Sequence, residues 1–434
     1  MEDKEAPNSA FTMSIKGMAM LTVCSVFSLR NLPSMAEYGW NIIFFLSAAA
    51  ACFFIPSALV SAELASTYPQ RGGVLFGSKK RSAPSSGSSR SLWNGSKHAV
   101  VSGRGHLCCH LHRIHFNPEL ASNRWYIFFT AIFLLWLSTF LNFRGMRLSV
   151  FLSNSGVVVG TIIPGFFLIV CALTYVWLGK PVQINLDSGK ALIPDLSTAR
   201  QWMLLAGMMV SLAGMEMSSV HVTSMKNPRS SFPKSIYLAT AIILILSVLG
   251  ALSISLVVPI GDLSKSAGVC QSFELMLNAL GVGWLTPILA CLLAYGALAS
   301  VVTWMNGPSR GLLEVAKEGY LPQYWQYRNS YGMQTRIFIM QASLASFLSL
   351  SVLIMPSVSD ALWLFLALCS QLYMIMYLLM FAAAIRLKIE NPDSPGEYKV
   401  PGGRVGMILM SGVAFCTSLI ALLCGFYSAG RNHQ

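Results

Sequence analysis

The chain has 434 residues, of which 54% are hydrophobic and only 11% charged, with a formal net charge of +13. Soluble domains usually carry about 25% charged residues, so the composition excludes an ordinary soluble domain and points to a chain built for a bilayer. The positive charge argues for orientation and not for nucleic acid: Lys and Arg collect in cytoplasmic loops of membrane proteins, and no basic face here is interleaved with exposed aromatics as a nucleic-acid site needs.

Apolar runs of the length that crosses a bilayer, roughly 18 residues or more, recur from end to end. The start, MEDKEAPNSA, is polar and reads as a cytoplasmic N-terminus over residues 1–11, with no cleavable signal peptide expected. Ten spans follow, near 13–37, 40–64, 125–143, 150–178, 201–223, 234–258, 284–305, 335–355, 361–385 and 405–429, and then a short tail over 430–434. The connections are short. Basic residues mark alternate ones: Arg144 and Arg147; Lys226, Arg229 and Lys234; Arg310, Lys317, Arg328 and Arg336; Arg386, Lys388, Lys399 and Arg404. The intervening connections are poor in charge or mixed, as with Lys180, Asp187, Lys190 and Asp195. This alternation assigns the basic loops to the cytoplasm.

The alternation breaks once. The loop after the second span is basic (Arg71, Lys79, Lys80, Arg81), and the span 125–143 is followed at once by Arg144 and Arg147. One span cannot have both flanks on the same side, so either the rule fails here or a third span is missing between residues 74 and 122. The tract SKKRSAPSSGSSRS has no helical apolar period, and residues 75–116 contain no Asp or Glu. Cysteines elsewhere (Cys24, Cys52, Cys171, Cys291, Cys369, Cys416) are scattered singly in apolar runs and read as small buried hydrophobes. Cys108, Cys109, His110, His112 and His115 cluster inside the anomalous tract, but adjacent cysteines followed by close histidines match no standard zinc spacing. No metal and no cofactor is expected.

With the missing span counted, the first and sixth spans are the unusual ones. The first reads TVCSVFSLRNLPSMAEYGW, with Ser28, Arg30, Asn31 and Pro33 in mid-run; the sixth reads VSLAGMEMSSVHVTSMKNP, with Gly214, Glu216, Ser218, Ser219 and His221. Interrupted helices at matching places in two five-span halves point to a transporter binding site. Unwinding at mid-membrane frees backbone N–H and C=O groups that lipid cannot satisfy and a polar solute can. A zwitterionic amino acid suits such a site, its carboxylate meeting the positive end of a half-helix and its ammonium meeting freed carbonyls.

Several segments resemble the amino acid–polyamine–organocation (APC) superfamily, and within it the bacterial glutamate/gamma-aminobutyrate antiporters: NLPSMAEYGWNIIFFL, IPSALVSAELAS, SLAGMEMSSVHVTSMKNPRSSFPKS, LSISLVVP with SAGVCQSF, WMNGPSRGLLEVAKEGYLP, and YKVPGG. The resemblance covers residues 12–73 and 117–429. It implies an all-α, polytopic membrane protein with an inverted-repeat (5+5) transporter fold of the leucine-transporter/APC type. The first repeat is expected over 12–179, containing the anomalous segment 74–116, and the second over 200–386; span 11 follows at 405–429. Against the family pattern, span 3 is corrupted and span 12 is absent. The implied activity is secondary active amino-acid transport, by exchange, at the bacterial inner membrane; the implied partners are a small amino acid and the lipid bilayer, with no nucleic acid. Substrate-binding residues are expected to be Val26, Phe27, Ser28, Arg30, Gly214, Glu216, Ser218 and Trp304, with His221 as a candidate proton relay. Each has a plainer alternative. Glu216 could instead bond freed backbone groups, Arg30 could pair with Glu216, and Trp304 could sit in an interfacial belt. The GPSRG motif reads as a cytoplasmic hinge at a helix end, since it lacks the Lys-Ser/Thr of a phosphate loop.

Rival readings are a membrane enzyme or sensor, a permease for another amino acid, and an inactive gene product. The first finds no paired carboxylates or soluble signalling domain to support it. The last rests on the genetic code. Read one base early, the codons of Leu92 to Lys97 force Glu from the Trp-Asn pair and permit Met-Glu-Trp-Ile-Glu. Shifted the other way, His106 to His115 yield only Ile or Thr from histidine codons and Val or Ala from cysteine codons, an apolar helix running into Phe116-Asn117-Pro118. We therefore expect resequencing of codons 70–120 to show compensating insertions or deletions. A reading frame confirmed as written, together with amino-acid exchange by the 434-residue product, would refute this.

Overall fold

The computed structural model describes residues 12–67, 124–183, 199–259, 268–317, 319–354, 358–391 and 398–431, together with Pro194 and Leu263. The expectations for residues 74–116, including the missing third span, the shifted frame and the Cys/His cluster, lie outside the described residues. Within them the fold is all-α. Seven helices are long and apolar enough to cross a membrane: Asn41–Thr67, Arg124–Phe143, Met146–Trp177, Pro228–Val257, Gly283–Lys317, Leu368–Glu390 and Gly403–Phe426. The other three expected spans are present but cut short. Two are the interrupted ones, and the third is a 15-residue helix, Thr335–Ser349, followed by the single turn Ser351–Ile354.

The first span consists of α1 (Ile15–Val26) and α2 (Asn31–Ala36), with Phe27–Arg30 between them outside the helix. Ser14 starts α1 by accepting the Gly17 N–H at 3.1 Å, which satisfies one of the orphan donors of a helix N-terminus. The following elements are α3 (Asn41–Thr67), α4 (Arg124–Phe143), α5 (Met146–Trp177), α6 (Ala199–Ser211), α7 (Pro228–Val257), α8 (Gly268–Ala279), α9 (Thr286–Lys317), α10 (Thr335–Ser349), α11 (Val358–Glu390) and α12 (Gly403–Arg431). Between α6 and α7 lies a 3-10 helix, Met215–Ser224.

Two wide π turns have the same cause. In α3 the π turn Ala50–Phe54 precedes Pro56, and in α5 the π turn Val158–Ile162 precedes Pro164. A proline inside a helix lacks the N–H for the carbonyl four residues back and crowds it; widening the turn relieves the crowding. The carbonyl released by Pro56 is that of Cys52, and Thr417 of α12 donates to it at 3.1 Å. The carbonyl released by Pro164 is that of Gly160, where α5 and α9 touch backbone to backbone. A Cβ on Gly160 would lie 2.3 Å from Gly296 N and 2.4 Å from Leu292 O. Small residues permit such close approach between membrane helices.

Three expectations need correction. The GPSRG motif does not end a helix. α9 runs on to Lys317 with Pro308 inside it, and Gly307, Pro308 and Ser309 are buried. One missing hydrogen bond is tolerated because the flanking turns are packed on both sides. The stretch between the expected spans 234–258 and 284–305 is not a plain connection, since it contains α8, whose Phe273 stacks on Phe167 of α5 with centroids 6.1 Å apart. Of the scattered cysteines, Cys24, Cys171 and Cys369 are buried, but Cys291 and Cys416 are exposed. They sit on outer helix faces beside other bare apolar side chains such as Ile288 and Val413, where a thiol is as compatible with lipid as with a core.

The crossing of α5 and α9 gives a prediction. Gly160→Ala should destabilise the fold by about 1–3 kcal/mol or more through overpacking, read as a lower midpoint for thermal loss of the monodisperse species in detergent. Gly412→Ala, where a Cβ meets nothing within 4 Å, should leave that midpoint unchanged.

Candidate functional site

The interruptions of the first and sixth spans lie against one another. Gly214, at the second break, adopts φ +122°, and a Cβ there would stand 3.0 Å from the Ser25 carbonyl and 3.5 Å from the Trp304 ring. Both the backbone angle, which L side chains rarely adopt, and the lack of room call for glycine. The two spans also meet at their far ends. The Met13 N–H donates to the Ser224 carbonyl at 2.7 Å, in an isolated bridge between Met13 and Met225.

On one side of this contact is a cavity. Its lining includes Cys24, Phe27, Ser28 and Arg30 from the first span, Gly160 and Thr161 from α5, Val269 from α8, and Gly296 and Ser300 from α9. Ser28 and Arg30 are half-buried, whereas Phe27 and Val26 are buried in the core. Hydroxyl groups and one guanidinium thus face a space otherwise walled by apolar side chains and by backbone.

On the other side is a buried polar knot that sequence reasoning did not find. Tyr377 of α11 accepts the Gly214 N–H at 2.8 Å and donates its own hydroxyl to Glu216 Oε2 at 2.5 Å. Glu216 and Tyr377 are 3% and 0% exposed. An aromatic column supports the knot: Trp304 meets Tyr373 edge-on at 5.9 Å, Tyr373 leans on Tyr377 at 6.1 Å, and Tyr377 stacks on Phe381 at 5.8 Å. Tyr373, Tyr377 and Phe381 share one face because they are spaced four residues apart on a helix. The available signal was the pair of tyrosines in an otherwise apolar run, since a buried phenol nearly always finds a partner.

The structure therefore sorts the expected residues. Phe27, Ser28 and Arg30 border the cavity, and Gly214, Glu216 and Trp304 gather around Tyr377. Trp304 is buried, so it is not a member of an interfacial belt. The Tyr377 hydroxyl links Glu216 Oε2 to the freed Gly214 N–H. Ser218 turns inward and donates to the Met215 carbonyl at 3.0 Å, and Ser219 donates to the Glu216 carbonyl at 2.6 Å. His221 faces Arg310 of α9, whose Nη1 is 3.1 Å from its Nδ1, while Arg310 Nη2 reaches Ser224 Oγ at 3.4 Å. A guanidinium only donates, so Nδ1 is the acceptor and the imidazole carries its proton on Nε2. In this arrangement His221 holds Arg310. Among the described residues no group of His, Cys, Asp and Glu is placed to hold a metal ion.

The amino acid permease family matches residues 13–434. The chain belongs to this family, within the APC superfamily. An uncharacterized transporter of Legionella pneumophila is 33% identical over 96% of this chain and 90% of its own length. A glutamate/gamma-aminobutyrate antiporter of Lactococcus lactis is 26% identical over 95% of this chain and 83% of its own. A probable agmatine/putrescine antiporter of the same organism is 24% identical over 91% and 84%. This permease is thus a multi-pass helical transporter.

The knot predicts a specific loss. Tyr377→Phe removes a hydroxyl that serves both a backbone N–H and a carboxylate, and hydrogen bonds to charged groups contribute about 1.5–3 kcal/mol each. Transport should fall at least about tenfold, equivalent to about 1.4 kcal/mol, in Tyr377→Phe and in Glu216→Gln alike. Wild-type rates in both, measured at matched protein levels, would show that the knot has no role.

Proposed function

We propose that this permease is a secondary active exchanger of amino acids, of the glutamate/gamma-aminobutyrate antiporter type, working at a bacterial inner membrane by alternating access. The observation that carries the reading is the back-to-back placement of two interrupted spans beside a cavity bordered by Arg30. The carbonyl end of α1 carries the negative end of a helix dipole and suits a substrate ammonium. A guanidinium binds a carboxylate through two parallel hydrogen bonds, and the hydroxyls of Ser28, Thr161 and Ser300 supplement it. An amino acid with an ammonium at one end and a carboxylate at the other fits this pairing; glutamate and gamma-aminobutyrate both qualify. In this reading Phe27, Ser28 and Arg30 contact the substrate. Gly214, Glu216 and Trp304 support the break, with Val26 and Ser218 packed behind them. Residues 12–179 and 200–386 act as the two halves of the repeat.

The test is counterflow. Proteoliposomes loaded with unlabelled glutamate should accumulate external labelled glutamate, unlabelled gamma-aminobutyrate should compete, and agmatine should not. Arg30→Ala should lower the rate about tenfold or more. A chain with an apolar third span restored across 74–116 that shows no counterflow of any amino acid would overturn the proposal. The basic charge on both flanks of span 125–143 favours a second reading, that the 434-residue product as it stands is inactive. Counterflow by the restored chain alone would establish it.

A further inference from the structure

The motif YKVPGG, just before α12, has no part in the site described above, and neither does Glu63 at the end of α3. The fold joins them. Lys388 of α11 donates to Glu63 Oε1 at 2.7 Å, and both side chains are 4% exposed. Glu63 Oε2 accepts the Val400 N–H of the motif at 2.6 Å. Tyr398, two residues earlier, shares a hydroxyl–hydroxyl hydrogen bond of 2.6 Å with Tyr237 of α7. Gly402 and Gly403 then turn the chain into α12 at φ +86° and +61°. A carboxylate in an apolar interior is thus surrounded by an ammonium and a backbone donor, with no lone pair directed at lipid. The pair links residues 325 positions apart.

The same two helices meet again higher up, at the knot. Phe53 of α3 packs edge-on against Tyr377 with centroids 4.9 Å apart. Tyr377 and Lys388 are eleven residues apart on α11, close to three full turns, so they lie near one face and about 16 Å apart along the axis. α3 and α11 are therefore fastened at two levels, by an aromatic contact beside the sixth-span break and by an ion pair at the end that the basic loops assign to the cytoplasm. Tyr377 reaches both Gly214 N–H and Glu216 only at one axial position of α11. A slide of α11 along its axis would strain these two short hydrogen bonds.

We propose that Glu63 and Lys388 are positioning residues for the binding site: their ion pair, braced by the Val400 N–H, fixes the register of α11 on α3 and so holds Tyr377 in the sixth-span break. This rests on reading the break as the site, but its test does not require transport. Buried ion pairs resist separation because each partner left alone is a bare charge in a dry interior. The pair is consequently suited to a fixed joint, so that motion of α3 carries α11 with it.

Hydrogen–deuterium exchange on the full 434-residue chain in detergent, without substrate, reads the register directly. Glu63→Gln and Lys388→Met should each speed exchange about tenfold in peptides covering 212–218 as well as 398–403, while peptides from α5 and α9 stay protected. Lys388→Arg, which keeps the charge and the donor, should restore protection in both regions. Faster exchange confined to 398–403, with 212–218 as slow as in the unmodified chain, would overturn the proposal and leave the pair a local fastening. A rise over every span in all variants, Lys388→Arg included, would also overturn it, by making the pair a general element of stability. If the register test succeeds and a chain with the third span restored still shows no counterflow, the transport reading fails without touching the register argument.

Discussion

No water reaches the middle of a bilayer, so a span that unwinds there must find a partner for every backbone group it frees. The sixth span of this permease unwinds at Gly214, and the architecture around it follows from that constraint. The freed Gly214 N–H is met by a phenol from α11. The phenol, having accepted, has a proton left to donate, and Glu216 takes it. That donor satisfies one oxygen of the buried Glu216 carboxyl, and Tyr377 can be buried because both its capacities are used. Trp304 and Tyr373 then fill the space on one side and Phe53 and Phe381 on the other. Remove the unwinding, and none of these side chains has a reason for its place.

Many other buried hydroxyls are satisfied by more ordinary means. Thr22, Ser25, Ser57, Ser138 and Thr139 each donate to a carbonyl four residues earlier in their own helix. A small hydroxyl satisfied in this way offers a nearly flat surface to a neighbour, which lets helices approach closely. Some hydroxyls do reach across, and several of these lie beside the break. Thr303 of α9 donates to Ser153 of α5 at 2.7 Å and lies 3.3 Å from Cys24 of α1, and Asn306 donates to Ser149 at 3.0 Å. The wall formed by α5 and α9 is thus continuous from the Gly160–Gly296 contact to the buried part of GPSRG.

How much of this could be read in the sequence depended on range. The span positions were legible because a bilayer demands long apolar runs, and both breaks were legible because Gly, Pro and charged residues interrupt such runs for few other reasons. The family was legible in segments such as SLAGMEMSSVHVTSMKNP. What could not be read were partners distant in the chain. Nothing in IPSALVSAELAS says that Glu63 will meet Lys388, and nothing near Glu216 says that its donor is Tyr377. The extent of α9 was misjudged because proline and glycine in GPSRG are helix breakers in water, whereas in a packed bundle one lost hydrogen bond does not end a helix. The buried Trp304 and the exposed Cys291 were equally out of reach, since composition within a span does not tell which face looks inward.

The contacts that join the moving parts are not equal, and their ranking bears on how the path could open. Removing one partner of a buried ion pair costs about 3–5 kcal/mol, and Glu63 also holds a backbone N–H, so parting α3 from α11 at that end is the most expensive separation among the contacts described here. The Arg310–His221 contact is of another kind. It joins a charge to a neutral acceptor, at 3.1 Å, from a guanidinium that also reaches Ser224 Oγ. Such a bond contributes about 1.5–3 kcal/mol at most, and water can replace it as it breaks. The bridge from Met13 to Ser224 is a single backbone hydrogen bond near the end of the chain's first span. Under the alternating access proposed above, the cheapest contacts part first, so the seam between α9 and the 3-10 helix of the sixth span, with the Met13 bridge beside it, is expected to give way before the joint of α3 and α11 does.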